Sequence, residues 1–144
     1  GVDQTFKSYG IEIVEFIKDG FEDIIIDKLR DILLEKMSSE HIDFFMSLKT
    51  SFSSEKYLFV HAGIDPRKKL IEQTKEDYLW SRSDIFFDKN FKAEKIIVHG
   101  HTPEENIVNY PFRINIDTGC FFSGKLSCVC LNDKNNHREF IETV

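Results

Sequence analysis

Two stretches decide how this chain folds: YLFVHAGIDP at residues 57–66 and KIIVHGHTP at residues 95–103. Each opens on a short, nearly all-apolar run, the pattern of a strand buried on both faces. Each run ends at a His, with Gly in the turn and Pro beyond. A His at the carboxyl end of such a strand, beside a Gly that lets the backbone turn sharply, points into the crevice where α/β sheets bind ligands. Two such ends lying side by side would converge two imidazoles, that of His61 and that of His99 or His101, on one point, the geometry of a metal site. Ordinary core or surface histidines are the alternative, and the repetition of the pattern weighs against it.

Outward from these runs the chain divides in two. On the amino-terminal side the period is helical: apolar positions 21, 24, 25, 29, 32, 33 and 37 recur at three- and four-residue steps, one face of a helix over 21–37. Ile26 and Leu34 widen that stripe and predict a well-covered helix. Residues 11–17 form a short ambiguous run that ends at Asp19-Gly20. Ser38 and Ser39 can cap a second helix containing Ile42, Phe44, Phe45 and Leu48, and 50–55 reads as a polar loop.

Between the two His-bearing runs, residues 70–87 mix acidic and aromatic side chains and predict one or two helices. The RINID (113–117), KLSCVCL (125–131) and REFIETV (138–144) stretches alternate as half-buried strands do, separated by turns at Gly119, Gly124 and Asn132-Asp133. Cys128 and Cys130, at alternate positions of one strand, read as core packing rather than a zinc pair. Helices first and strands afterwards predict a mixed α/β or α+β fold in a single domain over 1–144, long enough to bury a core.

Composition removes several functional classes. With 19 basic and 25 acidic residues the net charge is −6, which argues against a binder that neutralises nucleic-acid phosphates. The apolar runs are far shorter than the roughly 18 residues of a membrane span, and residues 1–10 lack the basic-then-apolar pattern of a secretory leader. Three Cys cannot all pair within one chain, so a reduced, cytoplasmic setting is expected.

The motifs HAGIDP (61–66), LWSR (79–82), VHGHTP (98–103) and INIDTGCFFSGKL (114–126), taken in order, resemble the C-terminal half of the metal-dependent phosphoprotein phosphatases. The likeness is to the bacterial and phage Ser/Thr phosphatases among the calcineurin-like metallophosphoesterases. FKSYG (6–10) and SSEHIDFFMSL (38–48) are similar to the helical stretch of such proteins. The resemblance implies a partial four-layer αββα sandwich and two divalent ions, with manganese, iron or zinc suited to imidazole ligands. It implies His61 and His101 as metal ligands and Arg82 as the contact to substrate phosphate, where a guanidinium fork matches a pair of phosphate oxygens. His99 is expected to be structural or to support the ligands, Trp80 to belong to the core, and Asp117 and Thr118 to be turn residues beside the site.

The family's Asp-x-His, Gly-Asp-x-x-Asp-Arg-Gly and Gly-Asn-His-Glu motifs do not occur in the sequence; Asn136-His137-Arg138-Glu139 only mimics the last. The chain also opens Gly-Val-Asp without Met. The expectation is therefore about half of a catalytic domain, with no catalytic acid assigned and little activity by itself. Two neutral His bring no carboxylate to bridge two dications. An uncovered sheet edge would invite self-association. The expected substrate is a phosphorylated protein or a small phosphoester. Dinucleoside tetraphosphate hydrolysis is an alternative, as is a phosphatase-like module that binds without catalysis. Asp117-Thr118-Gly119 also matches the signature of aspartic proteases, in which two such Asp share a proton.

Overall fold

The computed structural model describes residues 2–16, 23–135 and 137–143. They belong to two compact units, 1–48 and 49–144. The first unit holds α1 (Val2–Ser8), a 3-10 turn at Ile13–Glu15, α2 (Asp23–Lys36) and α3 (Ser39–Ser47). α3 starts where the sequence placed it, because Ser38 stays extended and its hydroxyl accepts from the His41 N–H at 3.3 Å. α2 lies within the expected 21–37. The expected helix start at Phe21, the Asp19-Gly20 stop and the Asn136 of the mimic motif lie outside the described residues. The wide stripe on α2 is not covered: Leu29 is buried, whereas Ile26 and Leu34 are about half exposed. A unit of a few short helices covers only a narrow stripe of each.

The second unit is built on a five-stranded sheet in the order β1-β2-β3-β5-β4. Its strands are β1 (Ser51–Ser53), β2 (Tyr57–Val60), β3 (Ile96–His99), β4 (Val108–Asn109) and β5 (Arg113–Asn115). β2, β3 and β5 run parallel, in a register that sets Phe59 beside Val98 and His99 beside Asn115. β1 and β4 pair antiparallel at the two edges. The crossover from β2 to β3 carries a 3-10 turn at Leu70–Glu72, α4 (Lys75–Trp80) and α5 (Asp84–Phe87). A short α6 (Cys120–Ser123) precedes the hairpin of β6 (Ser127–Leu131) and β7 (Arg138–Glu142).

Both faces of the sheet are covered, which is why its central strands are apolar at successive positions. On one face Leu58 and Ile97 pack with Ile64, Phe86 and Phe91 from the crossover. On the other, Tyr57, Val98 and Ile114 pack against Val129, Leu131 and Phe140 of the hairpin. The fold is mixed α/β, as the change of period predicted.

Three local expectations are corrected. Residues 51–53, within the expected polar loop, form a strand, because β2 supplies the hydrogen bonds that the side chains do not announce. RINID does not alternate: Arg113, Ile114 and Asn115 are all buried, since β5 lies inside the sheet between β3 and β4. Cys128 and Cys130 are exposed rather than core, because the pleat of β6 turns Ser127, Val129 and Leu131 inward instead.

Candidate metal and phosphate site

The parallel pairing of β2 with β3 sets the two His-bearing turns side by side. His61 is the first residue past β2, and His101 is the second past β3. A backbone bond continues the pairing beyond the strands, with the Gly100 N–H donating to the His61 carbonyl at 2.9 Å. The Thr102 N–H then donates to the Gly100 carbonyl at 2.8 Å across a His101 with φ of 68°. That is a γ-turn with a non-glycine residue in the left-handed region, a strained conformation of order 1–3 kcal/mol that concentrates at functional sites.

The result is close approach. His61 Nε2 and His101 Nδ1 stand 2.9 Å apart. Arg82 adds its Nη2 at 3.1 Å and Nε at 3.3 Å from His101 Nε2. Arg82 is delivered by the link between α4 and α5, and that link is pinned to the loop after His61. The Ser81 hydroxyl donates to the Ile64 carbonyl at 2.7 Å, and the Ala62 N–H donates to the Tyr78 carbonyl at 2.7 Å. The structure thus brings His61, His101 and Arg82 together.

Proton positions follow from the donors. A guanidinium only donates, so His101 Nε2 accepts, and the proton of the neutral ring sits on Nδ1 and is offered to His61 Nε2. Partial burial, and then the nearby charges of His61 and Arg82, lower the His101 pKa and favour that neutral form; Asp117 opposes them weakly.

His99 does not join this group. It is 2% exposed, wedged against Phe86 and Phe87. Its Nδ1 lies 3.0 Å from the Gly100 carbonyl and its Nε2 is 3.3 Å from Arg113 Nη1. These partners make Nδ1 the donor and Nε2 the acceptor. Burial, with a smaller push from Arg113, lowers its pKa to about 4. Trp80, expected in the core, is 64% exposed and meets the His101 ring edge-on at 5.6 Å. It is the last residue of a short helix whose buried side is taken by Tyr78 and the crossover core.

Two positioning residues escaped sequence reasoning. Asn115 is fully buried; its side chain donates to the Thr102 carbonyl at 2.8 Å and accepts from the Asp117 N–H at 2.9 Å, holding the loop after His101. Arg113, also buried, bonds His99 and the Phe87 carbonyl. Their signal was available, as two polar residues flanking Ile114 in a strand read as half-buried. Asp117 lines a cavity with His61, His99 and His101, while its Oδ1 accepts from the Gly119 N–H at 3.0 Å. That carboxylate caps its own turn.

The donor set can be tested against a divalent ion. Imidazole nitrogens about 2.1 Å from one ion, at right angles across it, stand about 3 Å apart, close to the 2.9 Å between His61 Nε2 and His101 Nδ1. That spacing suits two ligands of one ion once the proton between the two nitrogens has moved away. Among the described residues no three His, Cys, Asp or Glu side chains gather as a metal-holding group, so these residues do not by themselves make a two-metal centre.

The chain is similar in structure to a solved crystal structure described as that of "a putative diadenosine tetraphosphatase", with a TM-score of 0.60 and 15% sequence identity, over 99% of this chain and 72% of the other. At that identity the shared property is the fold alone. No protein-family model matches the chain, and no curated protein matches it. Among the described residues no helix is long and apolar enough to cross a membrane.

Proposed function

We propose that this chain supplies part of a divalent-metal centre that hydrolyses phosphoesters and phosphoanhydrides, with a dinucleoside tetraphosphate as the substrate class. His61 and His101 are two ligands of one ion, and Arg82 binds the phosphate under attack. The observation that carries the reading is the 2.9 Å approach of His61 Nε2 to His101 Nδ1, with Arg82 on the opposite nitrogen of His101. The dinucleotide is favoured over other phosphoesters by the likeness of fold. A phosphoprotein is the second reading, supported by the LWSR and HGHTP stretches.

When bound, a divalent ion supplies Lewis-acid polarisation of the phosphoryl group and a hydroxide nucleophile at neutral pH. The chain's own residues do the rest. A ligand role for His101 Nδ1 moves that ring's proton to Nε2, which then faces the Arg82 guanidinium as a second donor. Arg82 would then lose that acceptor and add Nε and Nη2 to an Nη1 that takes no part in the His101 contact, so that its fork would meet the phosphate oxygens and offset the charge that develops in the transition state. Carboxylates that hold two dications together come from outside the group of side chains seen here.

The test has two arms. Co²⁺ titration of the 144-residue chain should give weak binding that is lost in His61→Ala and His101→Ala. The native gene product that contains this chain, with Mn²⁺, should cleave diadenosine tetraphosphate, and each of those substitutions should cut kcat by about 100-fold or more. Cleavage of a phosphoserine peptide instead selects the second reading, and metal-independent turnover of either substrate overturns both.

A further inference from the structure

Beside Arg82 lies a second cavity of about 500 Å³, between the loop that follows His61 and the α4–α5 segment. Its size falls within the range of small-molecule sites. Two features set its chemistry. Its apolar walls are the exposed Trp80, in a chain with a single Trp, and the exposed Ile85. Its charged lining is mostly acidic, with the carboxylates of Asp65, Glu76, Asp77 and Asp84 against the guanidinium groups of Arg67 and Arg82. Arg67 is already paired with Asp65 at 2.9 Å, and Asp77 with Lys68 at 2.7 Å. The one cation of the lining that faces the histidine pair is Arg82.

A wholly anionic ligand is excluded from the interior of such a cavity by the acidic lining, yet its edge at Arg82 favours a phosphate. A ligand that satisfies both conditions is neutral and aromatic at one end and phosphorylated at the other. An exposed indole rimmed by polar groups is a stacking platform that any purine can use, and the carboxylates of Glu76 and Asp84 are acceptors for ribose hydroxyls or an exocyclic amine. Trp80 also meets His101 edge-on. A base on the indole would therefore lie close to the histidine pair.

We infer that Trp80 is the base-stacking residue of a nucleoside-phosphate subsite, with the base between Trp80 and Ile85 and the phosphate on Arg82. This rests on the proposed function and narrows it, by assigning where one nucleoside of the substrate lies.

The single Trp makes the test direct. Emission excited at 295 nm is followed in the metal-free chain during titration with AMP, ribose 5-phosphate and inorganic phosphate. AMP should quench saturably, while ribose 5-phosphate and phosphate should leave emission unchanged. Arg82→Ala should raise the half-saturating AMP concentration about tenfold. Trp80→Ala should weaken AMP binding about tenfold to hundredfold by equilibrium dialysis, with circular dichroism and a melting curve showing that it is folded. Equal quenching by AMP and ribose 5-phosphate, quenching that rises linearly to millimolar AMP, or unchanged dialysis in Trp80→Ala would each overturn the subsite. The hydrolytic reading fails separately, through absence of metal-dependent turnover in the native gene product that contains this chain, whatever AMP does to Trp80 emission.

Discussion

Gly63 sits two residues past His61, in the turn that aims the imidazole, and its replacement by Ala is the most informative single change in the fold. Its φ of 152° is a conformation that residues with a side chain rarely adopt. A Cβ placed there would stand 2.6 Å from Phe86 Cε1, 3.0 Å from Cδ1 and 3.1 Å from Cζ. The Phe86 ring has nowhere to retreat. It is 0% exposed and is held by Phe91 at 5.2 Å, Phe87 at 5.4 Å and His99 at 4.9 Å between centroids. Overpacking a closed core costs about 1–3 kcal/mol, and a β-carbon at this strained positive φ adds about 1–3 kcal/mol. Gly63→Ala should therefore destabilise the second unit by roughly 2–6 kcal/mol, read as a lowered urea midpoint at unchanged slope. The steric share can be separated. In a Phe86→Leu background the clash is relieved and the strain stays, so the two changes should couple by about 1–2 kcal/mol. Additivity within about 0.5 kcal/mol, or a Gly63→Ala cost below that figure, would refute the argument that Phe86 dictates glycine here.

Other tests follow from the same packing. The pKa of buried His99, held at about 4 against 6.5 in an unfolded chain, means that the folded state keeps this ring neutral. Its stability is full above pH 6.5 and is lost as pH falls toward 4. That loss is roughly 3 kcal/mol at about 1.4 kcal/mol per pH unit; urea titrations from pH 7.5 to 4.5 should show it in the metal-free wild type and most of it should be gone in His99→Gln, with a remainder from His101, whose pKa is also lowered. Gly119→Ala should cost only about 1–2 kcal/mol of positive-φ strain. The Phe122 ring that its Cβ would meet at 2.2 Å is mostly exposed and free to swing away, so a larger loss in the thermal melt would argue otherwise. Asn115→Ala leaves the Asp117 N–H and the Thr102 carbonyl without partners. It should destabilise by about 2–4 kcal/mol, and proton NMR should show His101 moving away from His61.

The sequence by itself determined the parts that depend on neighbours along the chain. The apolar runs before His61 and His99 could be stable only as strands covered on both faces, Ser38 could cap a helix without outside help, and Gly in each turn let the histidines reach past the strand ends. Which partners those elements take was decided by tertiary structure, because pairing and burial are contacts between residues far apart. The 51–53 strand exists because β2 offers its edge. Arg113 and Asn115 are buried because β4 closes the sheet beyond β5, and the cysteines of β6 face outward because the sheet claims the opposite side of that pleat. The same holds for the site. The repeated strand–His–turn pattern was legible, and with it His61, while the choice of His101 over His99 and the presence of Arg82 nearby followed from the likeness of the HGHTP and LWSR stretches. The exposed Trp80, the Arg82 contact to His101 Nε2 and the withdrawal of His99 into a cage of Phe86, Phe87 and Arg113 were not legible. Those depend on how the α4–α5 crossover packs over the sheet, and side-chain distances across that packing have no counterpart in the order of residues.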